Sequence, residues 1–367
     1  MDTSTAAYRL LELTALSGEL PADNLCRMGI GENYGEKLVT KLKEEKLLKT
    51  HYKDRLRGYR LTSKGKKLLL SRMPVRFSFY LTGNSDTNQP RSDYARRLRL
   101  HQVSRTYCLL LNSGITLFRD TKPAIFSGIP PDGDIAFPIP VFYHSREIKE
   151  LGSETIKINN SRSIGVLFAD RCIYVVFYTG ESVLKWEYKT EIRMKAFLSY
   201  HVSQGILAPW YRHDTPIRAL FIGKCMDTGI RLMTSTGGYR HSLFTLDTSF
   251  EHFHFIPDSH AGEVILRILC RPGFTRQFSA LLLSDLEAPD EALGFEHDAI
   301  KDGNPVLLAY DFDMLRISRF ITCLKLRKCS GHLICFDFQK DSLLFYCGEM
   351  VTLSLIHISE PTRPISI

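Results

Sequence analysis

The sequence predicts an α+β chain in which a small, strongly basic helix-and-hairpin unit precedes a larger mixed α/β region. Three observations predict it. Apolar residues recur at helical spacing through the first fifty positions and then give way to two short alternating runs. Positive charge is confined to that end: residues 1–100 carry 20 Lys or Arg against 11 Asp or Glu, whereas residues 101–367 carry 28 against 29, so the net charge of +8 belongs to the first hundred positions. From residue 113 onward, β-branched and aromatic runs of strand length alternate with longer helical patterns.

The elements follow in order. TAAYRLLELTALSG is predicted as a helix, with Ala7, Leu10, Leu11 and Leu16 on one side and Gly18 stopping it. ELPADNLCRMGI reads as a short helix with Pro21 in its first turn and Gly29 at its end. In ENYGEKLVTKLKEEKLLKT, Leu38, Val39 and Leu42 form an apolar stripe that Leu47 and Leu48 continue, and Tyr34, Lys37, Lys41 and Glu44 lie opposite. KTHYKD and GYRLT read as strands joined around Arg55–Gly58, and Thr62 or Ser63 caps a closing helix, KGKKLLLSRM. From His51 to Leu70 there are seven Lys or Arg and a single acid, Asp54.

Three helices, a basic hairpin and a closing helix, over residues 1–75, are the order of a winged helix-turn-helix. The likeness is most specific at YRLTSKGKKLL, Tyr59 to Leu69. A helix of about 15 residues fits the major groove, and a hairpin beside it reaches phosphates, where Lys and Arg displace counterions. Asn33, Tyr34, Lys37 and Lys41 are the expected groove-facing residues, and Lys53, Arg55, Arg57 and Arg60 the expected phosphate contacts. Protein docking and a merely solvated face are the competing readings of this charge.

Residues 76–112 are read as a linker, polar and turn-rich near 81–92, followed by an amphipathic helix over about 93–112. That helix carries Arg96, Arg97 and Arg99, with Leu100, Val103, Tyr107 and Leu111 on its apolar side. It is expected either to pack on the next domain or to add a second DNA-backbone contact. A mixed α/β domain is expected over 113–255, with strands at ITLFRD, IAFPIPVFYHS, SIGVLFAD, CIYVVFYTG, SVLKWEYK, RALFIGK, YRHSLFTLD and EHFHFI, and a helix at TEIRMKAFLSYHVSQGI. A C-terminal α/β unit over 256–352 adds a helix at AGEVILRILCRP, a turn-rich acidic loop, strands PVLLAYDFD, GHLICFDFQ and LLFYCG, and a helix at MLRISRFITCLKLRK. No internal repeat stands out.

Nine scattered cysteines, with no CxxC pair, fit reduced thiols, and the even spacing of Cys323, Cys329 and Cys335 is looser than zinc sites prefer. No apolar run reaches the roughly 18 residues of a membrane span, and MDTSTAAYRLLEL lacks the order of a secretory signal, so no membrane partner and a cytoplasmic protein are expected.

Candidate chemistry falls in three places. Asp170 with Glu187 and Lys189 matches the pattern in which restriction-enzyme-type nucleases hold magnesium and position water, provided Glu187 and Lys189 share a strand face. Asp311 and Asp313, in AYDFDML, with Asp337 of CFDFQ, resemble the acidic metal site of topoisomerase-primase folds, although Asp313 also reads as a helix N-cap. His252 and His254, followed by Asp258 and His260, have strand spacing for a transition metal. TSTGGYR lacks the lysine and helix of a phosphate loop, no GxSxG nucleophile motif occurs, and PPDGD at 130–134 lies in a proline-rich loop.

LSLIHISEPTR, at 353–363, resembles the conceptual translation of a transposase adapter used in preparing sequencing libraries. That resemblance implies an interrupted gene fragment whose natural chain breaks off near Thr352, with 353–367 an artefactual tail.

The basic N-terminal unit, then RRLRLHQV and SREIKELGSETIKINNSRSIGVL, resembles the replication-relaxation family of plasmids and conjugative elements. The resemblance covers the first 75 residues in motif and the rest in architecture only. It implies a winged helix followed by a nuclease-like fold, a role in plasmid replication, relaxation or mobilisation, and acidic strand positions at Asp170 and Glu187. The expected function is therefore a DNA-binding accessory protein without a cofactor. Its partners would be double-stranded DNA, relaxase or replication proteins, or a second copy of itself. The alternatives are a magnesium-dependent nuclease and a transcriptional regulator whose α/β part senses a ligand.

Overall fold

The computed structural model describes residues 5–126, 137–204, 207–208, 210–237 and 242–358, so PPDGD lies outside the described residues. The fold is mixed α+β. The chain divides into two compact units, 1–151 and 152–367.

In the first unit, α1 (Ala6–Ser17) is capped by Thr5, whose hydroxyl accepts the Tyr8 N–H, and it stops at Gly18, where φ is +80°. A two-residue strand, β1 (Leu20–Pro21), and two 3-10 turns that end on left-handed Gly29 take the place of the short helix expected there. The helix α2 (Glu32–Glu44) buries Leu38, Val39 and Leu42, the stripe read from the sequence. β2 (Leu48–Lys53) and β3 (Leu56–Leu61) form an antiparallel hairpin, and β1 pairs with the other side of β3, giving the order β1-β3-β2. The helices α3 (Ser63–Arg72), capped by Thr62 onto the Gly65 N–H, α4 (Pro74–Leu81) and α5 (Tyr94–Asn112) follow, and α5 lies against α1. The unit ends with β4 (Val141–His144) and the short helix α6 (Ser145–Ile148).

Three expectations change here. The hairpin turns at Asp54 and Arg55, both at positive φ, one residue before the expected Arg55–Gly58 junction. Gly58 instead lies within β3, where a Cβ would meet a Glu19 carboxylate oxygen at 2.5 Å and the His101 ring at 2.9 Å. Residues 81–92 are no free linker. Thr87 is buried and donates to the Tyr80 carbonyl, Lys66 reaches Asn88, and Arg60 donates to the Pro90 and Arg91 carbonyls. ITLFRD is not a strand: Thr116 makes one bridge to Val141, and Arg119–Thr121 is a 3-10 turn.

In the second unit, β5 (Gly165–Ala169) pairs antiparallel with β6 (Cys172–Gly180), and β7 (Ile217–Gly223) and β8 (Phe253–Pro257) continue the sheet in parallel. The helices α7 (Tyr188–Gln204), α8 (Met226–Met233), α9 (His260–Cys270) and α10 (Phe274–Leu283) accompany it. The strands read as near-continuous apolar runs because they are buried on both faces. One face carries Phe177, Phe221 and Phe253, packed with Trp186, Phe244 and Phe250. A second sheet has the order β12-β11-β10-β9. It comprises β9 (Ala299–Lys301), antiparallel to β10 (Asn304–Leu308), and β11 (Gly331–Phe336) and β12 (Val351–Ile356), both parallel to it. The helices α11 (Met314–Arg327) and α12 (Lys340–Cys347) connect those parallel strands.

LLFYCG, expected as a strand, lies in α12. Short apolar runs suit either state, and here Asp341 in the first turn and Gly348 at φ +65° bound a helix. SVLKWEYK and the described part of YRHSLFTLD form only a single bridge, Lys185 to Leu243. β12 runs into the segment that resembles adapter translation: Leu353–Ile356 pair with Leu333–Phe336 through main-chain hydrogen bonds, which depend little on side-chain identity. Among the described residues no helix is long and apolar enough to cross a membrane.

Candidate nucleic-acid interface and polar clusters

The first unit is organised around a buried carboxylate. Glu19, just before β1, is fully buried and accepts from Arg60 Nε at 2.7 Å, from Arg97 Nη2 at 2.6 Å and from the His101 ring at 2.8 Å. Burial pushes its carboxyl up, but hydrogen bonds from His101, Arg97 and Arg60 outweigh this and hold it at about 2. Arg97, on α5, spends its remaining donors on the carbonyls of His51, Lys53 and Leu56, the ends of the hairpin strands. One guanidinium thereby ties the hairpin to the helical core.

This overturns one expected phosphate contact. Arg60 is 6% exposed, its donors taken by Glu19, Pro90 and Arg91, and it reaches no ligand. Arg97, read as a surface cation, is likewise part of the interior. Neither was legible from composition, because Glu19 is 78 residues from Arg97 in sequence.

The other expected contacts are at the surface. Asn33, Tyr34, Lys37 and Lys41 form the exposed side of α2, with Tyr34 at 56% exposure. Tyr34, Lys37, Leu38 and Lys41 line a groove of about 500 Å³ against Thr5 and Ala7. Lys53, Arg55 and Arg57 are exposed on the hairpin, and none of them pairs with a carboxylate among the described residues. Strand alternation places Arg57 with Tyr52 and Tyr59 on one face, and Lys53 with Lys49 on the other, so the cations surround the ribbon. The helix α2 also exposes Glu32, Glu36 and Glu44, so the positive excess sits on the hairpin and on Lys64 and Lys67 of α3.

In the second unit the nuclease pattern comes apart. Asp170 sits in the turn before β6, where its carboxylate accepts the Gly273 N–H at 2.8 Å. Glu187 lies beyond the other end of β6, at the start of α7, and accepts the Thr190 hydroxyl. Lys189 is in the first turn of α7 rather than on a strand, and residues two apart on a helix do not face each other. Among the described residues, neither Asp170 nor Glu187 belongs to a group of three possible metal ligands.

Two other candidates merge instead. Asp313 caps α11, accepting the N–H groups of Leu315 and Arg316, and His252 Nδ1 lies 2.5 Å from its carboxylate. His254 Nδ1 lies 3.5 Å from the Asp311 carboxylate. Burial pushes the His254 imidazole down, against the Asp311 and Asp313 charges that would raise it, and burial pushes the Asp311 carboxyl up. Asp337 does not join them: it accepts the Phe338 N–H and faces His357. Asp258 accepts the Tyr178 hydroxyl, and His260 contacts Glu263. Among the described residues no cysteine belongs to a metal-ligating group.

No family model, curated protein or solved structure matches the chain.

Proposed function

We propose that the first unit is a winged helix-turn-helix that binds duplex DNA, with the outer face of α2 in the major groove and the hairpin cations on phosphates. The observation that carries this reading is the set of exposed, unpaired cations Lys53, Arg55 and Arg57, on a hairpin that Arg97 and Glu19 anchor beside α2. A tethered ribbon presents its charges without a large ordering cost, and contacts on both its faces suit insertion along a groove wall. The likeness in motif to the replication-relaxation family extends the proposal to an accessory protein of a plasmid or conjugative element. The position of Lys189 on α7, rather than beside Glu187 on a strand, speaks against a restriction-enzyme-like nuclease in that role.

Fluorescence anisotropy on labelled duplex DNA tests the reading. With about four or five phosphates neutralised, log K should fall against log salt with a slope of about −4. The combined change Lys53→Ala, Arg55→Ala and Arg57→Ala should flatten that slope by about 2 to 3. A salt-independent affinity, or a slope unchanged in the triple variant, sinks the proposal.

A further inference from the structure

The start of β8 and the start of α11 bring together side chains about sixty residues apart in sequence. His254 and Asp313 form a main-chain bridge, and the Phe255 N–H donates to the Phe312 carbonyl. Phe312, buried and at φ +45°, turns the backbone between Asp311 and Asp313. His252, just before β8, and His254, within it, are alternate residues, and both Nδ1 atoms meet this segment.

We propose that His252, His254 and Asp313 bind one divalent transition-metal ion of zinc-like preference, with Asp311 supporting His254. The donor atoms, one from each residue, lie within 4.8 Å of one another. Ligand atoms around tetrahedral zinc lie about 3.4 Å apart, so modest side-chain rotations close the site. Two imidazoles and a carboxylate suit zinc and its neighbours rather than magnesium or calcium, which prefer oxygen throughout. His254 already has the Asp311 carboxylate beside its Nδ1, the kind of partner that orients imidazole ligands in metal sites.

An independent observation points to a missing partner. The His254 ring is buried, and its Nε2 has no hydrogen-bond partner. An ion drawing on the His254 Nε2 would turn an unpartnered ring nitrogen into a ligand. The His252 side chain, 28% exposed, leaves a solvent-facing approach and a place for water as a further ligand.

The test uses the full chain, stripped with chelator and titrated with zinc chloride and then cobalt chloride. One equivalent should bind, and the cobalt spectrum should report nitrogen and oxygen rather than thiolate ligation. His252→Ala, at a partly exposed position, should abolish that equivalent and the accompanying rise in melting temperature. His260→Ala should leave both intact. No stoichiometric binding, a thiolate-type spectrum, or undiminished binding in His252→Ala overturns the site and leaves Asp313 as a helix cap hydrogen-bonded to a histidine.

Discussion

Glu19 in the first unit and Glu191 in the second are both buried carboxylates, and their surroundings give them opposite protonation. Glu19 meets two guanidiniums and an imidazole and stays ionised, at about 2. Glu191, in the first turn of α7, is 1% exposed and accepts the Ser161 hydroxyl. Burial pushes it up to about 8. The difference teaches that desolvation is shared, and that the supply of cationic donors decides the charge state. The first unit spends two of its cations internally to hold the hairpin; the second keeps a proton instead.

The largest expected effect follows from breaking the first cluster. Glu19→Ala leaves Arg60 and Arg97 buried without their anion and should cost about 3–5 kcal/mol in denaturant unfolding of the first unit. A loss below about 1 kcal/mol would show that water or a rearranged acid replaces the carboxylate.

Titration sharpens the same comparison, with opposite signs. Because Glu19 is held below its unfolded value, its contribution is present above pH 4.5 and is lost as pH falls through about 2, on the order of 3 kcal/mol. Acid unfolding of wild type but not of Glu19→Gln, already destabilised, should show that step. Glu191 is raised, so stability associated with it is full below pH 4.5 and declines as pH rises through about 8. Glu191→Gln should therefore stabilise the second unit by about 1–3 kcal/mol at pH 7.5, and by little at pH 4. Equal effects at both pH values would contradict the assigned protonation.

The smallest effect separates interior from surface cations. Arg57→Ala should change stability by no more than about 0.5 kcal/mol while weakening DNA binding, whereas Arg60→Ala should destabilise measurably. If melting curves of the two variants coincide, the division between anchoring and ligand-facing cations fails.

Much of the fold was legible. The α2 stripe Leu38, Val39 and Leu42, the Thr62 cap, the Gly18 and Gly29 stops and the limits of β6 and α11 follow from local periodicity and capping. LLFYCG was not legible, since a short apolar run serves a strand or a buried helix equally well. Neither was Gly58, whose glycine suggested a turn but clears space for Glu19. For the candidate sites, the hairpin cations could be read from charge clustering. The convergence of His252 and His254 with Asp313 could not, because two unremarkable pairs gained meaning only when strand pairing joined them.

By itself, the sequence determined where helices start and stop, which faces are apolar, and that positive charge gathers at one end, because these depend on neighbours a few residues away. The tertiary structure alone decided which of those cations are interior, which carboxylates are ionised, and which acids and imidazoles meet. Those outcomes depend on desolvation and on partners brought close by folding, and neither quantity is carried by residue spacing.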